Sequence, residues 1–191
     1  MATVKKTAFE LEGADGGPLR GDVRTAASGA RRPAVVICHG FKGFKDWGMF
    51  PPLAERLARA GLTAISFNFS GSGVGPDGDS FSEPTRFKHD TYTRQLTDLA
   101  TVIEATDHAR LASGLSQPSR IGLFGHSRGG GVAQAVVGYT DALVETLFNQ
   151  NGVPVFVQEP LEREIAKRME QLETELARVK EESGGRTPGS G

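Results

Sequence analysis

The five residues Gly125-His126-Ser127-Arg128-Gly129 constrain what this chain can fold into more than any other stretch. They follow the apolar run Ile121-Gly122-Leu123-Phe124 and lead straight into Gly129-Gly130-Gly131. A short, continuous apolar run of this kind suits a strand buried on both faces. A serine placed at its end between small residues suits a sharp strand-to-helix turn. Glycines relieve the crowding there, and the hydroxyl is left standing out of the turn. Five residues alone are a weak pattern, but the strand before and the helix start after are the context that such a turn requires.

The remaining elements repeat that alternation. Thr7 to Leu11 and Leu19 to Arg24 alternate around the turn residues 13–18 and predict a β-hairpin or two loosely spaced strands. Pro33 to Cys38 and Leu62 to Phe69 read as strands buried on both faces. Between them Pro51-Pro52 opens a helix with Leu53, Leu57 and Ala60 at helical spacing, and Gly61 ends it. Residues 70–80, rich in glycine, serine and aspartate, predict a loop. Thr91 to Ala112 predicts a long helix on Leu96, Leu99, Ile103 and Leu111. Ser119 to Phe124 is the third buried strand, Gly129 to about Phe148 a further helix, and Val153 to Val157 a fourth core strand. Buried strands alternating with helices predict an α/β three-layer sandwich: a mostly parallel sheet with right-handed crossovers and an antiparallel N-terminal edge.

The C-terminal stretch differs in kind. Leu161, Ile165, Met169, Leu172, Leu176 and Val179 mark a heptad seam. Glu159 with Arg163, and Glu164 with Arg168, stand at i,i+4 in the favourable order. Residues 1–158 therefore read as one α/β domain, 159–182 as an amphipathic, heptad-patterned helix and 183–191 as a flexible tail. The seam is expected either to cover sheet surface within the chain or to pair with a second chain as a homo-oligomer.

Bulk properties remove several function classes. A net charge of −1 supplies no basic field for nucleic acid or an anionic membrane. No window approaches a membrane span, and Met1 to Lys6 leads into no apolar segment of a secretory signal. The one cysteine, Cys38, lies in an apolar run and is expected to act as a small buried hydrophobe. A cytoplasmic protein is expected, with no nucleic-acid or membrane partner.

Chemistry at a serine needs a proton acceptor and donors for a developing oxyanion. The loop His39-Gly40-Phe41-Lys42-Gly43, directly after the Pro33–Cys38 strand, can bring a backbone N–H toward Ser127 because glycine permits close approach. The amides of Phe41 and Arg128 are the expected pair of donors. His39, at the strand end, reads as a residue that braces the loop. Gly40 and His126 are adjacent to the site, and the turn directs the His126 side chain away from the Ser127 hydroxyl. Lys42, Lys45 and Arg128 near the site are either solvated loop charges or a greeting for an anionic substrate group. Phe81, Phe87 and Trp47 are either pocket walls or packing anchors.

Together, His39-Gly40-Phe41-Lys42-Gly43-Phe44-Lys45-Asp46-Trp47, Ser66-Phe67-Asn68-Phe69-Ser70-Gly71-Ser72-Gly73 and Gly125-His126-Ser127-Arg128-Gly129-Gly130 resemble the bacterial α/β-hydrolases. The similarity is to dienelactone-hydrolase-like and serine-aminopeptidase-like esterases and peptidases, over roughly residues 5–140. It implies Ser127 as nucleophile, the Phe41 and Arg128 amides as oxyanion hole, a small acyl substrate such as a carboxylic ester, and no metal or organic cofactor. Family members place an acid and then a histidine after the serine. Here the four histidines, His39, His89, His108 and His126, all precede Ser127. The sheet is therefore expected to be incomplete on its C-terminal side, with the heptad helix where later strands belong. Two readings stand: a serine hydrolase, or a catalytically impaired or truncated relative whose C-terminal helix serves oligomerisation.

Overall fold

In a computed structural model of the chain, residues 3–26, 31–137, 145–148 and 154–158 are described. The heptad segment, the tail and their boundaries lie outside them. Among the described residues the strands and α-helices order as β1 (Lys5–Glu12), β2 (Pro18–Thr25), β3 (Ala34–Cys38), α1 (Phe50–Arg59), β4 (Thr63–Asn68), α2 (Pro84–Lys88), α3 (Tyr92–Asp107), β5 (Ile121–Gly125), α4 (Arg128–Val137), β6 (Glu145–Phe148) and β7 (Pro154–Gln158).

The described strands form one sheet in the order β1-β2-β4-β3-β5-β7-β6. Its centre, β4-β3-β5, is parallel, with Cys38 beside Phe67 on one flank and Gly125 on the other. The chain leaves β3 through α1 to reach β4, then returns across β3 through α3 to reach β5. Right-handed crossovers in opposite directions put α1 and α3 on opposite faces. On the α1 face Ile37, Phe50, Ala54 and Ala64 are buried, with Val35, Leu53, Leu57 and Phe124 packed against them. The opposite face of the same strands carries Val36, Ile65 and Leu123, and Leu99, Val102 and Val132 of the helices are likewise buried. Both faces of the sheet are covered, as its continuous apolar strands require.

Four features differ from the sequence expectation. First, α1 buries Phe50, Ala54 and Ala58 most deeply, while the leucines lie half-buried beside them. Second, α3 ends at Asp107, short of Ala112. Ala109 adopts a left-handed φ of 54°, Ala109 N–H donates to Thr106 O and Arg110 N–H to Ala105 O, and this paired-bond cap stops the helix. Leu111 is buried beyond that stop as a loop anchor.

Third, a helix was expected to run to Phe148; α4 is described over Arg128–Val137, and Glu145–Phe148 is a strand paired with β7. Its Thr, Leu and Phe accept a sheet as readily as a helix, so the pairing decides. Fourth, β7 runs antiparallel to β5, where a parallel strand was expected. Only residues 149–153 join β6 to β7, far too few for a crossover, so the two form an antiparallel pair. The sheet is mixed, with its parallel block confined to β4-β3-β5.

One buried carboxylate fastens loops to this frame. Asp98 of α3 accepts Ala14 N–H at 2.7 Å and both the N–H and hydroxyl of Ser70 at 2.8 Å. Burial raises its pKa, and the hydrogen bonds from Ala14 and Ser70 oppose that rise. Ser70 opens the loop that follows β4. No helix among the described residues is long and apolar enough to cross a membrane.

Candidate active site

The C-terminal ends of β3 and β5 lie side by side, so the loops that follow them meet. Ser127 sits between β5 and α4 with φ of 53°, a left-handed conformation rare outside glycine, and the residue is exposed. The two flanking glycines explain how this turn fits. A Cβ on Gly125 would lie 2.4 Å from Gly130 Cα, and one on Gly129 would lie 2.3 Å from His39 O. Helix α4 is therefore pressed against the end of β3, and only glycine leaves room.

The loop after β3 reaches the same place. A Cβ on Gly40 would lie 3.1 Å from Ser127 Cβ and 3.0 Å from His126 O. Gly43 N–H donates to Gly40 O at 3.0 Å, making a tight turn in which Lys42 has φ of 57°. That bond does not use the Phe41 N–H. Arg128 begins α4, and the first N–H groups of a helix have no partner within it. Gly129 N–H donates to His126 O and Gly130 N–H to Ser127 O, which closes the turn around the serine.

His39 and His126 take different places. His39 is buried; its Nδ1 lies 2.9 Å from Gly40 O, and its Nε2 accepts Phe69 N–H at 3.2 Å. Those partners set the neutral tautomer with Nδ1 protonated. The ring spans the loops after β3 and β4 and meets Phe69 edge-on. His126 packs near Phe50 and Trp47, with centroids 6.1 and 6.4 Å away. The other two histidines are exposed: His89 caps α2, and His108 follows α3 with Nδ1 2.9 Å from Glu104 O.

Burial pushes the His39 imidazole from 6.5 down to about 4. The unfolded chain therefore takes up the proton first as pH falls. Stability from this group is complete above about pH 6.5 and is lost as pH falls toward about 4. On those two values, about 2 kcal/mol is lost near pH 5 relative to about pH 7.5. Urea midpoints at the two pH values measure this loss, and His39→Gln should flatten it. An equal pH response in wild type and variant would contradict the assignment.

The charges near the loop are not free. Lys45 is buried: its Nζ is 2.6 Å from Asp22 Oδ2 and contacts Asp46, and its backbone N–H donates to Asn68 Oδ1 at 2.7 Å. Lys6 and Arg24 complete this ionic cluster around Asp22 and Asp46. Lys45 is thus neither a solvated charge nor a substrate contact; it anchors the loop to β2 and β4. Arg128 is also engaged, with Nη1 3.0 Å from Asp90 Oδ2 and its guanidinium 4.6 Å from the Tyr92 ring centroid. Lys42 is exposed. Phe41, 54% exposed, stacks on Phe87 at 5.4 Å, and Phe81 meets Phe87 edge-on at 5.2 Å. Trp47 is exposed against Phe50 and His126. Asp90 and Gln95 were not singled out by the sequence. In the structure Gly71 packs against Asp90, where a Cβ would come within 2.7 Å of Asp90 Oδ1.

A family model described as the alpha/beta hydrolase family matches residues 35–186. Among solved structures, the chain is similar to brefeldin A esterase, a bacterial homologue of human hormone-sensitive lipase. That similarity has a TM-score of 0.50 and 21% identity, covering 72% of this chain and 36% of that one. A cold-adapted esterase from an Arctic intertidal metagenomic library gives 0.55 and 21%, covering 74% and 58%. Dienelactone hydrolase from Anabaena variabilis gives 0.50 and 20%, covering 71% and 57%. The chain thus spans less than two thirds of the length of each, and at such identity the likeness is one of fold. Against curated protein sequences there is no match.

Proposed function

Since the chain belongs to the alpha/beta hydrolase family, we propose that it is a serine hydrolase acting on a carboxylic ester or a related small acyl substrate. The observation that carries this reading is Ser127 itself, exposed and held at φ of 53° between two glycines that admit no side chain. A left-handed serine costs conformational energy, and such strain is kept where chemistry uses it. Ser127 Oγ attacks the acyl carbonyl carbon. The Phe41 and Arg128 N–H groups hold the resulting oxyanion, the alcohol departs with a proton, and water then releases the acid. The test is labelling by a fluorophosphonate, mapped to its residue by mass spectrometry, together with turnover of p-nitrophenyl acetate. A label found elsewhere, or none, would refute the reading.

The engagement of His39 favours a second reading: it is occupied on both ring nitrogens, and we assign it no role as base. On this reading the domain binds without turning over, and the 161–179 heptad segment pairs two chains. Sedimentation velocity should then give a dimer or larger for the full chain and a monomer for a chain ending at Pro160. Identical sedimentation states would sink that assembly.

A further inference from the structure

We propose that Asp90 is a positioning residue of the oxyanion hole, acting on both donors through the Arg128 side chain; this rests on the Ser127 reading above. Asp90 precedes Thr91, the N-cap of α3, and its side chain is 4% exposed. Its Oδ2 lies 3.0 Å from Arg128 Nη1, and Gln95 Nε2 donates to both carboxylate oxygens at 3.0 and 2.9 Å. The guanidinium so held sits 4.6 Å from the Tyr92 ring centroid and 5.6 Å from that of Phe41. One planar cation therefore joins the start of α3, the start of α4 and the loop after β3.

The two proposed donors belong to separate segments, yet both must point at one oxygen atom. Arg128 carries the first donor on its own backbone and lies over the ring of Phe41, which carries the second. A guanidinium is a rigid fork, so fixing its direction fixes what it stacks on. Asp90, held in turn by Gln95, supplies that direction. The loop after β4 makes room for it: a Cβ on Gly71 would lie 2.7 Å from Asp90 Oδ1 and 2.9 Å from Asp90 Cβ.

The cluster is poorly explained by stability alone. Arg128 Nε and Gln95 Oε1 are buried without a hydrogen-bond partner, and such groups cost free energy. Burial also raises the Asp90 carboxyl pKa, although Arg128 opposes it. An ion pair kept under those penalties beside an exposed, strained serine fits a geometric task better than a structural one.

The test uses full-length wild type, Asp90→Asn and Asp90→Glu, with p-nitrophenyl acetate turnover expressed per serine titrated by fluorophosphonate. Displacing a reacting group by about 1 Å costs about 10²-fold. Asp90→Asn should therefore lower kcat about ten- to a hundredfold with KM little changed, and Asp90→Glu should recover part of it. A purely structural role would reduce the titratable fraction instead, leaving kcat per serine at the wild-type value, and that result would overturn the proposal. Backbone amide resonances provide an independent reading. In Asp90→Asn those of Phe41 and Arg128 should shift together while that of Leu99, in the core of α3, stays. If wild type takes no label and turns nothing over, the Ser127 reading fails by itself. The amides then decide Asp90 alone: joint displacement sustains the clamp, and unmoved resonances overturn it.

Discussion

In Ser127→Ala, fluorophosphonate labelling should fall to background and p-nitrophenyl acetate turnover should drop at least about 10³-fold, with little change in the urea midpoint. Removing the nucleophile of a complete serine–histidine–acid system costs about 10⁶ in kcat, and removing the histidine costs about as much, because the groups act as a unit. The size of the loss is therefore informative about more than the serine. A wild type already lacking a working base would have little left to lose when Ser127 goes. A drop near 10⁶-fold would mean that a base serves Ser127 in the intact chain, and a drop below tenfold would defeat the hydrolase reading in favour of the impaired one. Stability should be almost untouched, since Ser127 is exposed, although alanine keeps the left-handed strain at φ of 53°. A large fall in the urea midpoint would mean that the hydroxyl has a structural partner, which the geometry around it does not suggest.

Much of the frame was legible because it depends on local pattern. Residues 34–38, 63–68 and 121–125 carry runs of buried apolar side chains bounded by turn residues, and each forms a central strand. The alternation of β1 matches a half-exposed strand at the sheet edge, whereas β2, paired on both sides, is buried from Gly21 to Arg24. Glycine spacing around Ser127 was equally readable, because the need for no side chain at 125 and 129 is set by contacts within one turn and its neighbouring strand. What failed depends on partners distant in sequence. Glu145–Phe148 is a strand because residues 154–158 pair with it, and nothing inside the four residues announces that. Lys45 looked like a loop charge until Asp22, more than twenty residues away, supplied its partner. Asp90 was illegible for the same reason. Its neighbours His89 and Thr91 suggest a helix start, and the link to Arg128 exists only once β4 and β5 have brought their loops together.

Two glycines of one run, Gly129 and Gly131, should respond in opposite directions to alanine, and the contrast tests whether packing at the turn builds the site. A Cβ at 129 would stand 2.3 Å from His39 O and 2.5 Å from Cys38 O. Both are backbone oxygens at the end of a central strand, so neither can swing aside as a side chain would. Overpacking a tight site typically costs about 1–3 kcal/mol. With rigid partners on the β3 side, Gly129→Ala should exceed about 3 kcal/mol, and α4 would have to lift away, carrying the Arg128 N–H and Ser127 with it. Labelling should fail even in the fraction that stays folded. At 131 the same methyl would meet only Tyr92 Cε1, at 3.9 Å, an ordinary contact on an exposed helical position. There alanine removes the conformational cost of glycine in a helix, so Gly131→Ala should raise stability by roughly 0.5–1 kcal/mol and label as wild type does. Equal midpoints for the two variants, or normal labelling of Gly129→Ala, would mean that the α4 start is not held against β3 as tightly as those distances require.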